Sequence, residues 1–150
     1  MTAPTGVERR TYIKADPRVV WTTLHDPAAQ DVLYPELHLG PAAPSWPAAG
    51  ATRSGRLRLG LLRTSVRIES LEARPEGRFR TILVGDGIRL ERGWALEPGA
   101  GGGTRVIADA DLVTSGRWVG LLIRLGRGSS ATVIETNLRI LKEMAEGGSR

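Results

Sequence analysis

The strongest constraint on this chain is a run of alternating segments between residues 52 and 114, followed by an apolar stretch of helical period. Strand side chains alternate between two faces, whereas helical ones recur every three to four residues. Thr64, Val66 and Ile68 stand opposite Arg63, Arg67 and Glu69. Ile88, Leu90, Trp94 and Leu96 stand opposite Arg89, Glu91 and Glu97. The alternation predicts strands over residues 52–61, 62–71, 78–84, 88–96 and 104–114. Turn residues separate them, namely Gly60, Pro75-Glu76-Gly77, Asp86-Gly87 and the glycine-rich 98–103. Links this short join antiparallel neighbours, because parallel ones need a long crossover. Residues 7–14 read as a first strand. Residues 36–46 read as an extended segment whose spacing by Pro35, Pro41, Pro44 and Pro47 allows only an edge strand. The total is about seven strands in one antiparallel sheet.

Helices flank this body. Asp16 before Pro17 suits an N-cap followed by proline at the first helical position. Val20, Trp21 and Leu24 then share a face of a helix over 17–26, and Asp26-Pro27 stops it. A second short helix fits residues 28–34, ended by Tyr34-Pro35. The closing stretch, 117–145, places Trp118, Leu122 and Leu125 at i, i+4 and i+7. Val133, Asn137, Leu138, Leu141 and Met144 continue the stripe. Gly126 and Gly128 interrupt it, so a kink or break is expected there. Thr132 with Glu135 fits a restart by capping box, and Gly147-Gly148 ends the helix. A sheet clasped by such a helix is an α+β architecture with a cavity between sheet and C-terminal helix.

Composition narrows the chemistry. With 150 residues the expectation is one domain, 1–150. There is no cysteine, which excludes disulfides and thiol chemistry, and the two histidines are too few for a typical zinc site. No metal and no cofactor are expected. No apolar run approaches the roughly 20 residues of a transmembrane helix. Residues 1–6 have neither the basic start nor the apolar core of a signal peptide, so a cytoplasmic location is expected. The net charge is +5, from 19 Arg and 2 Lys against 16 acidic residues. Arg56, Arg58, Arg63, Arg67, Arg89 and Arg105 alternate with apolar residues, as on the wet face of a sheet. No aromatic residues interleave with them as a stacking platform requires, so no nucleic-acid partner is expected. The glycines of 98–103 are followed by neither Lys-Ser/Thr nor a helix, and read as a hairpin turn, not a phosphate loop. Nothing in the pattern sets an oligomeric state.

A few residues depart from the pattern. Arg92 falls on the apolar, inward side of its strand. A buried guanidinium needs either a carboxylate within the protein or an acidic ligand, and an internal partner favours a structural role. Tyr34 and His38, between the short helices and the early sheet, can orient a ligand or move a proton, or simply sit at a rim. Asn137 interrupts the last apolar stripe and can hydrogen-bond a ligand or a backbone group. His25 is explained by the helix C-terminus beside it. Asp109 and Asp111 have the spacing of a carboxylate pair but share the outward face with Arg105. The expected cavity lining is Leu59, Val66, Leu83, Leu90, Trp94, Ala110 and Leu122, with Arg92 and Asn137.

Ala15-x-Pro17-x-x-Val20-Trp21-x-x-Leu24-x-Asp26-Pro27, Trp94-x-Leu96-x-Pro98 with Gly102-Gly103-Thr104, and Asn137-Leu138-x-x-Leu141-Lys142 together resemble the SRPBCC or START-like superfamily. Within it, they resemble the polyketide cyclase/dehydrase and lipid-transport group. The resemblance spans nearly the whole chain and implies the helix-grip (START/Bet v 1-like) fold. It places Tyr34, His38 and Trp46 near a cavity mouth. It implies binding of a small hydrophobic or aromatic, lipid- or polyketide-like molecule. The alternative it implies is a cyclase or dehydratase without metal or cofactor, with Arg92 stabilising an enolate and Tyr34 or His38 moving a proton. No motif-level catalytic set of the aromatase/cyclases aligns with this chain.

Overall fold

A computed structural model describes residues 6–125 and 130–147. Gly126 and Gly128, where the kink or break is expected, lie outside the described residues. Seven strands form one antiparallel sheet: β1 (Gly6–Ile13), β2 (Leu37–Leu39), β3 (Thr52–Leu59), β4 (Leu62–Arg74), β5 (Arg78–Gly85), β6 (Ile88–Pro98) and β7 (Thr104–Thr114). Their spatial order is β1-β7-β6-β5-β4-β3-β2. The tight links from β3 to β7 make a meander, while β1 closes onto the far side of β7, Ile13 opposite Thr104. The proline-spaced segment supplies only three residues, at the β2 edge.

Four helices accompany the sheet: α1 (Pro17–His25), α2 (Pro27–Leu33), α3 (Arg117–Leu125) and α4 (Ser130–Gly147). The Asp16 carboxylate accepts from the backbone N–H of Arg18 (2.9 Å) and Val19 (3.1 Å) and so starts α1. Asp26 serves two helices. Its own N–H donates to the Thr23 carbonyl and closes α1, while its carboxylate accepts from Ala28 N–H at 3.0 Å and opens α2. The α4 helix lies over β1 and β7 and against α1, burying Ile134, Asn137, Leu138, Leu141 and Ala145.

The α+β helix-grip expectation holds, with α4 as the closing helix. Three local expectations do not. The alternation puts Leu61 on the inward face with Leu57 and Leu59, yet it is 58% exposed, because β3 ends at Leu59 and Gly60 turns the chain with φ 60°. The helical period puts Trp118 in the apolar stripe, yet it is 76% exposed. Its helix is seated instead by Val119 and Ile123, which rolls Trp118 outward. Thr132 does not restart the helix, which already runs from Ser130, and Glu135 accepts from Arg9 at 2.9 Å.

Candidate functional site

The alternation of β6 places Ile88, Leu90, Arg92, Trp94 and Leu96 on the buried face. Arg92 is therefore a guanidinium inside the core, its side chain 7% exposed. Its charge is answered internally. Glu36, equally buried, sits in the link between α2 and β2, with Oε1 3.0 Å from Arg92 Nη1. Arg92 Nη2 donates to Asn137 Oδ1. Asn137 Nδ2 donates in turn to the Leu33 carbonyl (2.8 Å) and to Glu36 Oε2 (3.3 Å). The Tyr34 ring lies under the guanidinium, 4.9 Å from its carbon to the ring centroid. Burial pushes the Tyr34 hydroxyl above its ordinary pKa, against the opposing pull of Arg92, so the phenol stays neutral. The indole of Trp94 shares a hydrogen bond with it. One polar knot thus ties β6, the α2 end, the α2–β2 link and α4 together.

A small cavity of about 30 Å³ lies beside this knot. Its walls are mainly apolar: Leu24 from α1, Leu37 and Leu39 from β2, Ile68, Phe79 and Leu83 from the sheet, and Trp46 from the 40–51 link. Arg92, Trp94, Tyr34, Gln30 and Thr81 complete it. Among the described residues, none from α4 lines it. This small cavity lies between the sheet and the α1–α2–β2 segment, whereas a larger open cleft of about 440 Å³ lies between α4, at Thr132, Val133 and Thr136, and the β3–β4 end of the sheet. Between the two, the knot of Arg92, Glu36 and Asn137 fills the centre with protein side chains.

Of the residues expected to line a cavity, Leu83, Arg92 and Trp94 do. Leu59, Val66, Leu90 and Ala110 are buried in the same core but do not border this cavity. Leu122 is half-buried on α3, and Asn137 is buried beneath Arg92. Tyr34 borders the cavity, whereas His38 is exposed on the outer face of β2, so the two do not meet. Asp109 is outward, as expected, but forms ion pairs with Arg80 instead of lying free in solvent.

Two features escaped sequence reading. Arg53 shares the inward parity of Leu57 and Leu59, a signal visible had the alternation been extended back through Gly55. It stacks over Trp46 at 5.2 Å and donates to Gln30 Oε1 (3.3 Å) and to the Gly40 carbonyl. Burial lowers its pKa from the ordinary value. The other is His25, which packs against Trp21 (4.4 Å) and Phe79 (4.6 Å), with both ring nitrogens buried and unbonded. Burial lowers its pKa to about 4, so it is neutral and the helix-dipole explanation fails.

This fold recurs in solved structures. The chain shares its fold with norcoclaurine synthase. That structure, a Thalictrum point mutant in complex with a transition-state analogue, is 9% identical, with a TM-score of 0.72 over 100% of this chain and 99% of that one. TTHA0849 of Thermus thermophilus is 25% identical, with a TM-score of 0.70 over 97% and 99%. DynU16, from the dynemicin biosynthetic locus, is 21% identical, with a TM-score of 0.61. The match covers 95% of this chain but 48% of DynU16. No family model and no curated protein matches the sequence. Among the described residues, no helix is long and apolar enough to cross a membrane, and no cluster of metal-ligating side chains occurs.

Proposed function

We propose that the chain is a member of the SRPBCC/START-like superfamily that binds a small aromatic or otherwise apolar, lipid- or polyketide-like molecule bearing a hydrogen-bond acceptor. The site is the cavity beneath α1, α2 and the 40–51 link. One observation carries this reading. Trp46, on the cavity wall, has a buried Nε1 donor with no acceptor among the described residues, and so does Nε of Arg53, which stacks on Trp46 from outside the lining. Buried donors normally find partners, and an unmet one costs about 1–3 kcal/mol. A ligand carbonyl or phenolate supplies the missing acceptor.

The cavity of about 30 Å³ has room for a water molecule, whereas small-molecule sites usually occupy roughly 300–1,000 Å³. Binding therefore requires the 40–51 link to swing away from the sheet. The bonds that must open are Gly40 N–H to the Ser54 carbonyl, Gly50 N–H to the Ser70 carbonyl, Ser70 N–H to the Ala51 carbonyl, Ser70 Oγ to the Pro47 carbonyl and Arg53 to the Gly40 carbonyl, together with the stacking of Arg53 on Trp46. A cyclase or dehydratase needs an acid–base group beside the ligand. His38 is on the opposite face, Arg92 is already paired, and Tyr34, though it borders the cavity, is held neutral by burial with its hydroxyl engaged by Trp94, so simple binding is the better-supported reading.

Calorimetric titration with 2-acetonaphthone and with naphthalene tests this. Trp46→Phe keeps the ring and removes the N–H. The ketone should bind about two- to tenfold more weakly to the variant, the worth of one neutral hydrogen bond, with the hydrocarbon unchanged. If neither probe binds the wild type or a Trp46→Ala variant with an opened wall, the reading is wrong.

A further inference from the structure

At one end of the sheet two hairpin tips lie side by side, Gly60-Leu61 between β3 and β4 and Asp86-Gly87 between β5 and β6. The α3 helix crosses both. Leu61 N–H donates to the Leu122 carbonyl at 2.9 Å. A side-chain carbon on Gly60 would collide with the Ile123 carbonyl oxygen, and one on Gly87 would lie 2.8 Å from Val119 Cγ2. Seated this closely through Val119 and Ile123, α3 turns Trp118 and Leu121 to solvent, 76% and 43% exposed, with Leu61 beside them. Large apolar side chains grouped on one surface mark an interaction site more often than scattered ones do.

The charge at the same end is equally one-sided. Arg56, Arg58, Arg63, Arg67 and Arg89 project from the outer face beside these tips, and none forms an ion pair among the described residues. Glu69 and Asp86 border the group and pair with none of the five. Further along the face, Arg78, Arg80 and Arg105 each have a carboxylate. Arg58 and Arg63 stand directly opposite each other across β3 and β4. Like charges in that position destabilise a sheet, and an anion between them relieves the repulsion. An open cleft of about 440 Å³ beside them, bordered by Arg58, Leu61 and Arg63 and on its other side by Glu36 and by Thr132, Val133 and Thr136 of α4, gives such an anion room.

We propose that this end of the molecule docks on an anionic membrane surface. Trp118, Leu121 and Leu61 enter the headgroup boundary, and the five arginines face the lipid phosphates. A nucleic acid would also meet the arginines, but aliphatic Leu61 and Leu121 and a single exposed tryptophan do not make a base-stacking platform. The proposal is independent of what the cavity binds.

Cosedimentation of the full chain with vesicles tests it, using phosphatidylcholine alone and a three-to-one mixture with phosphatidylglycerol. The chain should sediment with the mixed vesicles and not the neutral ones, and added salt should weaken the binding. Tryptophan emission should shift to the blue on the mixed vesicles. Trp118→Phe should abolish that shift while sedimentation persists, since the other three tryptophans are buried or half-buried in the fold. Arg58→Gln with Arg63→Gln should weaken partitioning at least tenfold without lowering the melting temperature, because the opposed charges are gone. Trp118→Ser with Leu121→Ser should weaken it severalfold. Failure to sediment with mixed vesicles, undiminished binding by the doubly neutralised variant, or binding to duplex DNA or RNA with vesicles ignored would each overturn the proposal.

Discussion

Arg92 and Arg80 lie on neighbouring strands, face opposite sides of one sheet, and are neutralised in opposite ways. Arg80 is answered by its near neighbours in the sheet. It donates to both oxygens of Asp109 and to Glu91, each at 3.1 Å, from a row in which Gly93 stands between Arg80 and Asp109. A side-chain carbon on Gly93 would collide with Arg80 Nη1, so the missing side chain is what lets the guanidinium reach across β6. Its hydrogen bonds to Asp109 hold Arg80 above the ordinary arginine pKa. Arg92 is answered by Glu36 and Asn137, which reach it from the α2–β2 link and from α4. The outer cluster joins strands that already pair through their backbones. The inner one joins segments that nothing in the ladder brings together, and it is buried where water cannot substitute for a lost partner.

The largest effect expected from this difference is at Glu36. Glu36→Ala leaves the Arg92 charge buried and unpaired and should lower stability by about 3–5 kcal/mol. Replacing both partners, Glu36→Leu with Arg92→Met, should restore most of that loss, since apolar pairs of similar volume often substitute for buried ion pairs. Denaturant titration of the single and double variants measures both. A single-variant loss below about 1 kcal/mol would place Glu36 on a par with the outer carboxylates and end the distinction.

The next effect concerns His25, an inner-face neighbour. Its folded pKa, about 4, lies below the unfolded value, so between the two the unfolded chain holds more protons. Stability therefore rises with pH through that window, falls as pH drops from about 6.5 towards 4, and levels off below it. The full swing is of order 3 kcal/mol. His25→Phe, with a ring already suited to Trp21 and Phe79, should flatten this part of the profile. A profile unchanged by the substitution would assign the acid sensitivity to other groups.

The smallest effect is on the outer face. Asp109→Asn should lower stability by about 0.5–1 kcal/mol and less in high salt, because the Arg80 cluster is partly solvated. An effect as large as that at Glu36 would mean the outer cluster also fixes the fold.

The sheet was legible because alternation is local. The inward set of β6, including Arg92, follows from parity alone, whereas β5 carries apolar residues at both parities and leaves its own inward set open; hairpin residues such as Asp86-Gly87 separate the strands. Tertiary partners were less legible, for a physical reason. Glu36 follows Tyr34-Pro35 in an irregular link where no period assigns a direction to its side chain. A clue was nonetheless present. Arg92 and Asn137 each break an apolar stripe, and two polar residues on facing apolar surfaces have most reason to meet each other. The neutrality of His25 depends on Phe79, more than fifty positions away, so reading the helix end alone gave the wrong charge.

The order of the strands also governs how the chain must assemble. The β3–β7 meander can form from neighbouring segments as they become available, each hairpin closing a short loop. The first strand has no such neighbour. Its partner is β7, with Ile13 set against Thr104, and its cover is α4. During synthesis from the N-terminus, β1 must wait with its pairing groups unmet until β7, Thr104–Thr114, has emerged. Such long-range closure is characteristic of slow-folding topologies. A chain cut before Thr104 would leave β1 without its pairing partner, and one cut before Ser130 would leave it paired but without the cover of α4.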